Sequence, residues 1–182
     1  MLKAKHYILT SITLGVIAAA SAGIIGLTNF LTKDRIALNE QQRIKKGISS
    51  IFGKEVEVLD EFTINNNNYN LLTYGYSVKN DESGLDRYAI KTYGYNSYGK
   101  ISLIVGVSEL DTHEFIFLGV SIISNEQSYA TTLEDKYIDV INQKYDKYDK
   151  VDVHCGATYG ATLVKEMVDM TVSYANEVLR SE

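Results

Sequence analysis

Residues 7–31 read YILTSITLGVIAAASAGIIGLTNFL and contain no Lys, Arg, Asp or Glu. As an α-helix, these 25 residues would extend roughly 37 Å at about 1.5 Å per residue, enough to cross a hydrocarbon core of about 30 Å with some tilt. A soluble helix of this length is expected to carry a charged face. The stretch therefore predicts a membrane-spanning helix.

A cleaved signal peptide is the alternative interpretation of the same stretch. Ala20, Ser21 and Ala22 resemble the small residues that precede a cleavage site. The apolar run continues beyond that point to Leu31, however, which favours an uncleaved anchor. A lipoprotein anchor is excluded because the single cysteine, Cys155, is far from this segment.

The charges that flank the helix leave its orientation open. Two lysines precede it, and five basic residues follow it: Lys33, Arg35, Arg43, Lys45 and Lys46. Counted literally, the excess of positive charge on the cytoplasmic side would place the C-terminal part of the chain in the cytoplasm. Composition alone does not decide the topology.

The composition excludes several functional classes. The 182 residues are 45% hydrophobic, so wholesale disorder is excluded, and the net charge of −5 disfavours a nucleic-acid partner. One cysteine allows no intramolecular disulfide and no multi-cysteine zinc or iron–sulfur site, and isolated histidines give no support to a metal site. Without Lys3 and Lys5, 16 basic residues face 23 acidic ones, so the part after the anchor carries −7.

The hydrophobic pattern divides the chain into four parts. We predict a short tail over residues 1–6, the membrane helix over 7–31, an amphipathic connecting helix over 32–53 and one domain over 54–182. The apolar residues of the connecting helix recur at near-helical spacing: Ile36, Ile44, Ile48, Ile51 and Phe52.

The pattern of the C-terminal domain predicts an α+β fold with a curled, mostly antiparallel sheet of about five strands, flanked by helices. The strand candidates are Glu55–Leu59, Leu71–Val78, Arg87–Tyr93, Lys100–Val107 and Phe115–Ile123. After them, Thr131–Glu134 fits a capping box that would open one helix. The last helix is predicted to start between Thr158 and Thr162.

The segment that carries chemistry is residues 151–162, VDVHCGATYGAT. Its small residues suggest a strand-to-helix turn, and the N–H groups and dipole at a helix N-terminus suit an anion such as phosphate. A threonine hydroxyl placed there can cap the helix or serve as a covalent attachment point. On these grounds alone, a capped helix start is the simpler interpretation.

Asp152–Thr158 resembles the flavinylation motif Asp-x-x-Ser/Thr-Gly-Ala-Thr of the FMN-binding domain family. This domain occurs in the G subunit of the Rnf electron-transport complex and in the C subunit of the sodium-pumping NADH:quinone reductase. In those proteins the last threonine carries FMN through a phosphoester bond, which a separate flavin transferase makes from FAD. The resemblance implies that Thr158 is the acceptor and that Asp152, Gly156 and Ala157 are motif residues.

Other stretches are similar to the family, with departures. Thr32–Ala37 resembles the segment that follows the family's anchor, and Gly99–Val107 resembles one of the family's strands. Glu126 stands where the family has the flavin loop Glu-Thr-Pro-Gly-Leu-Gly, but the Pro-Gly of that loop is missing here. The loop suggests Tyr129 as a stacking surface for the flavin. The motif departs from the family by Cys155, where Ser or Thr is usual, and by Tyr159 after the acceptor. A second Gly-Ala-Thr makes Thr162 a backup acceptor, although it lacks the spaced aspartate.

The resemblance implies a single-pass flavoprotein subunit of the cell membrane whose domain lies outside the cytoplasm. Together with other membrane subunits, it would relay electrons between reduced ferredoxin and NAD while the complex moves Na⁺ or H⁺. The chain itself would be an electron carrier without catalytic acid–base residues. Two alternatives stay open: a stand-alone anchored FMN carrier for extracellular electron transfer, and an adhesion or ligand-binding module without flavin.

Overall fold

The computed structural model describes residues 2–53, 56–79 and 84–181 of the chain, which form two units. The first unit ends at Gln42 and consists of the N-terminal part of helix α1, Leu2–Phe52. Every side chain from Thr10 to Leu31 is exposed. By length and composition, Thr10–Phe52 contains a stretch able to cross a membrane, and no second helix of this kind occurs among the described residues. This apolar helix fits the predicted single-pass anchor.

The second unit begins at Arg43 and is built on one five-stranded sheet. Its strands are β1 (Val58–Thr63), β2 (Leu72–Val78), β3 (Arg87–Asn96), β4 (Gly99–Glu109) and β5 (Phe115–Asn125). Each strand pairs antiparallel with its neighbour in sequence, so the order across the sheet is β1-β2-β3-β4-β5. The predicted α+β class and antiparallel sheet are confirmed.

The predicted curl of the sheet is wrong, because the sheet is open and uncurled. A sheet that curls buries one face inside itself. Here helices cover both faces instead. Leu103 and Val105 of β4 pack with Met167 of the last helix on one side, and Ile104 packs with Ile44 and Ile48 of α1 on the other.

The last four strands begin within one residue of their predicted starts, and β1 is displaced. It was expected at Glu55–Leu59, of which Glu55 lies outside the described residues, and the strand is found three residues further on. Its pairing with β2 accounts for the shift: Phe62 lies opposite Gly75, and the Phe62 ring occupies the space that a side chain at Gly75 would need.

Two α-helical segments follow the sheet, separated by a 3-10 helix over Tyr145–Lys150. The first consists of α2 (Ala130–Leu133), a π-helical turn (Glu134–Ile138) and α3 (Asp139–Gln143), and the second is α4 (Thr158–Glu177). The capping-box prediction is wrong: the helix begins at Ala130, before the threonines, and its N-cap residue Tyr129 makes no side-chain cap. The Ala130 N–H already donates to the Gln127 carbonyl, so the chain turns before Thr131. The start of α4 falls within the predicted range.

The end of α1 belongs to the core of the second unit. Ile44 and Ile48 are buried, and Ile51 and Phe52 pack against the same cluster, as their helical spacing predicts. Ile36, which was assigned to the same apolar face, is exposed.

Candidate functional site

A pocket of about 250 Å³ lies at the N-terminus of α4. Three segments far apart in the sequence form it: the β3–β4 turn, the chain from the end of β5 into α2, and the motif around Thr158. The lining residues are Tyr98, Gln127, Tyr129, Leu133, Gly156, Ala157, Thr158, Tyr159 and Gly160. The site therefore exists only in the folded domain.

The turn into α4 keeps backbone open to this pocket. Gly156 has φ +90°, a conformation that favours glycine, and Ala157 is the N-cap residue without a side-chain cap. A Cβ at Gly160 would lie 2.9 Å from Leu133 Cδ2, so the helix approaches α2 closely only because residue 160 has no side chain. Backbone is therefore accessible at the exposed Gly156, whereas Gly160 is buried and allows close packing of α4 on Leu133.

Thr158 is the first residue of α4, half-buried and on the pocket wall. Among the described residues, none donates a hydrogen bond to its hydroxyl or accepts one from it. The first turn of the helix contains no acidic residue, and its N–H groups have no carbonyl one turn earlier in the helix to bind. The hydroxyl thus stands where the helix dipole and backbone donors stabilise a negative charge.

Three tyrosines form an aromatic wall beside Thr158. The Tyr98 and Tyr159 rings are stacked, with centroids 5.2 Å apart and planes inclined by 27°. Tyr129 lies 6.1 Å from Tyr98 at a tilt of 54°. Asn96 Nδ2 donates to the Tyr159 carbonyl at 3.1 Å and so ties the β3–β4 turn to α4. Such a wall suits a planar aromatic ligand.

The structure brings together five of the residues expected from the sequence and separates four from them. Gly156, Ala157, Thr158, Tyr159 and Tyr129 line the pocket. The other four are not among its lining residues: Glu126 is exposed at the end of β5, Cys155 is half-buried against the core, Asp152 is exposed in the turn, and Thr162 lies one turn further along α4. The Thr162 hydroxyl donates to the Thr158 carbonyl at 2.9 Å.

Four lining residues were missed by reasoning from the sequence: Tyr98, Gln127, Leu133 and Gly160. Tyr98 stands beside Gly99 in a turn between two strands, and a turn tyrosine next to glycine is a signal that could have been used. Gln127 follows Glu126 in the stretch that was compared with the family's flavin loop, and this adjacency was its signal in the sequence.

Asp152 organises the turn before the helix rather than the pocket. Its Oδ1 accepts hydrogen bonds from the His154 backbone N–H at 2.9 Å and from His154 Nδ1 at 2.7 Å. These donors, the backbone N–H first, hold the pKa of the Asp152 carboxyl below its usual value. A lowered carboxyl pKa means that the turn is stabilised at neutral pH and that this contribution is lost as the pH falls through the folded-state pKa.

We expect His154→Ala to raise the pKa of Asp152 only partly toward the usual value, because the backbone N–H of residue 154 remains as a donor. Carboxyl ¹³C NMR of the wild-type and variant proteins over the acidic range measures this shift. A complete return of the pKa to the usual value in the variant would show that the imidazole ring, not the backbone, is the principal donor.

Fold and site together define a class: an α+β domain that follows an apolar helix able to cross a membrane, with an aromatic pocket around a threonine at a helix N-terminus. Residues 1–51 match the family model described as the RnfG N-terminal region. The match supports the resemblance to an RnfG-type subunit over these residues, which include the apolar helix but not the pocket. No curated protein and no solved structure matches the chain.

Proposed function

We propose that the domain carries FMN covalently on Thr158 Oγ and relays electrons within the Rnf-type complex. One observation carries the proposal: the unpartnered Thr158 hydroxyl lies at a helix N-terminus and inside a pocket with tyrosine walls. The phosphate of FMN suits the helix N-terminus, and its ring system suits the tyrosine walls. The motif resemblance around Asp152–Thr158 supports the same assignment from the sequence.

The residues present fit this group. Gly156 leaves backbone exposed where a phosphoester would lie, and Tyr98, Tyr129 and Leu133 offer flat and apolar surface for a ring system. Among the described residues, no group of three or more His, Cys, Asp or Glu side chains could hold a metal ion.

Attachment would occur at one oxygen of this chain. Thr158 Oγ forms a bond to the phosphorus of the FMN half of FAD, the pyrophosphate bond of FAD breaks, AMP leaves, and the hydroxyl proton passes to solvent. A flavin transferase catalyses this step in proteins with the motif. The N–H groups in the first turn of α4 would then stabilise the remaining phosphoester charge.

Once attached, the flavin supplies the redox chemistry, and the chain positions it and limits its contact with water. The covalent bond keeps the cofactor with the protein on the extracytoplasmic side, where we place the domain. That placement rests on the resemblance to the family, against the literal count of flanking positive charges.

Intact-mass measurement of the full chain, co-expressed with a flavin transferase, tests the proposal. The expected mass exceeds that of the polypeptide by FMN less one water. An unmodified mass would contradict flavin attachment and favour a binding module without flavin. Co-purification of other membrane subunits distinguishes a complex subunit from the stand-alone carrier, which would be recovered alone.

We expect Tyr98→Leu to raise the fluorescence yield of the bound flavin several-fold, because a stacked tyrosine quenches the excited flavin by donating an electron to it. Steady-state flavin fluorescence of the loaded protein measures the change. Tyr95→Leu is the matched control, since Tyr95 is an exposed tyrosine of β3 and is not among the pocket residues. Equal yields in the two variants would place the ring away from Tyr98.

A further inference from the structure

Gln127 is the one buried polar residue on the wall of the pocket. It is 7% exposed, and it follows the end of β5 by two residues. Its backbone N–H donates to Asn125 Oδ1 at 3.1 Å, and its side-chain Nε2 donates to the Gly99 carbonyl at 2.6 Å. One bond fixes the backbone of Gln127 at the end of β5, and the other fixes its side-chain amide at the β3–β4 turn.

The bond to Gly99 fixes which way the Gln127 amide points. A backbone carbonyl only accepts hydrogen bonds, so the amide nitrogen must face Gly99 and the amide oxygen must face away from it. That oxygen, Oε1, lies on the α4 side, 3.4 Å from where a Cβ of Gly160 would be. Among the described residues, no donor is hydrogen-bonded to Oε1.

Among the described residues, Arg87 Nε is the only buried side-chain N or O atom without a partner, so Gln127 Oε1 is open to the solvent of the pocket. A ligand that displaces this solvent must bring a donor for Oε1 or leave the acceptor unsatisfied. On the proposed function, the ligand of this pocket is a flavin tethered at Thr158, two residues before Gly160 on the same helix. An oxidised isoalloxazine ring has a single N–H donor, the imide N3–H. Gln127 Oε1 is a hydrogen-bond acceptor, which is the partner that N3–H requires.

We propose that Gln127 recognises the flavin ring by accepting a hydrogen bond from its N3–H at Oε1. This inference rests on the proposed function and adds a ring-positioning residue to it. The ribityl hydroxyls are the competing donors. The surroundings favour the ring, because Tyr98, Tyr129 and Leu133 line the same pocket and offer aromatic and apolar surface rather than partners for a polyol.

The test uses the full chain in detergent, loaded by a flavin transferase with flavin that carries ¹⁵N at N3. Intact mass first establishes loading, so that a failure of the proposed function is seen separately as an absent adduct. In loaded wild-type protein, NMR should show the N3–H proton exchanging with solvent at least about tenfold more slowly than in free FMN, as expected for one buried hydrogen bond.

Gln127→Met removes the acceptor at similar side-chain size, and the protection of N3–H should fall toward that of free FMN. Gln143→Met is the matched control, since Gln143 is an exposed glutamine at the end of α3 and should leave the exchange rate unchanged. Exchange as fast as in free FMN in loaded wild-type protein would overturn the inference without any variant. Full protection retained in loaded Gln127→Met would overturn it as well and assign Gln127 to the Gly99 contact alone.

Discussion

Thr158→Ala is expected to abolish covalent flavin incorporation completely. The variant lacks the only atom that can form the phosphoester at this position, whereas the helix start should persist, because the N-cap residue is Ala157 and makes no side-chain cap. Alanine also has a high helix propensity, so α4 should remain intact. Intact mass of the variant co-expressed with a flavin transferase should give the unmodified polypeptide, and in-gel flavin fluorescence should be absent.

The matched control for this result is Thr162→Ala, one helical turn away and in the same Gly-Ala-Thr context. Thr162 is exposed, and with Lys165, Glu166 and Asp169 it lines a different groove. We therefore expect the Thr162 variant to keep the full flavin adduct. An adduct that persists in Thr158→Ala and disappears in Thr162→Ala would reverse the assignment of the acceptor.

Gly99→Ala is expected to lower the free energy of unfolding by about 3 kcal/mol, among the largest effects of a single methyl group in this domain. Gly99 has φ +134°, and a Cβ there would overlap the Glu126 backbone carbonyl, which cannot move without shifting the end of β5. The same change displaces the Gly99 carbonyl from Gln127 and the neighbouring Tyr98 from the pocket. We therefore expect flavin loading to fall together with stability.

Thermal unfolding of the full chain in detergent, followed by circular dichroism, measures this effect. Gly53→Ala separates backbone strain from collision: Gly53 also has a positive φ, +110°, but a Cβ there meets nothing within 4 Å. We expect Gly53→Ala to lower the free energy of unfolding by about 1 kcal/mol, because backbone strain alone contributes. Equal losses in the two variants would contradict the collision with Glu126 as the main cause.

Local patterns were sufficient for much of the fold. The uncharged run before Lys33 indicated the anchor, and runs rich in Ile, Val, Phe and Tyr located β2 to β5, because both features depend on residues adjacent in sequence. The start of α4 was recognisable from Gly156 and the small residues after it. The spacing of Ile44 and Ile48 correctly indicated the buried face at the end of α1.

Two kinds of feature were not predictable in this way: a choice between local hydrogen bonds, and an arrangement that depends on distant contacts. The helix after β5 begins at Ala130 rather than at the capping threonines, because the Gln127 carbonyl accepts from the Ala130 N–H. The sheet stays open and uncurled because helices cover both of its faces. Tyr98 and Gln127 lie beside Thr158 only in the folded domain, where the β3–β4 turn, the end of β5 and the start of α4 meet.

The three-segment construction of the pocket has a consequence for the order of events in biogenesis. Gln127 lies 29 residues after Tyr98 and 31 residues before Thr158, so loops must close before the three residues meet, and synthesis must have passed Thr158. On the proposed function, a nascent or misfolded chain presents a threonine but no ring site beside it. Covalent flavin would then mark matured molecules, and the yellow colour of a preparation would report the fraction that has folded.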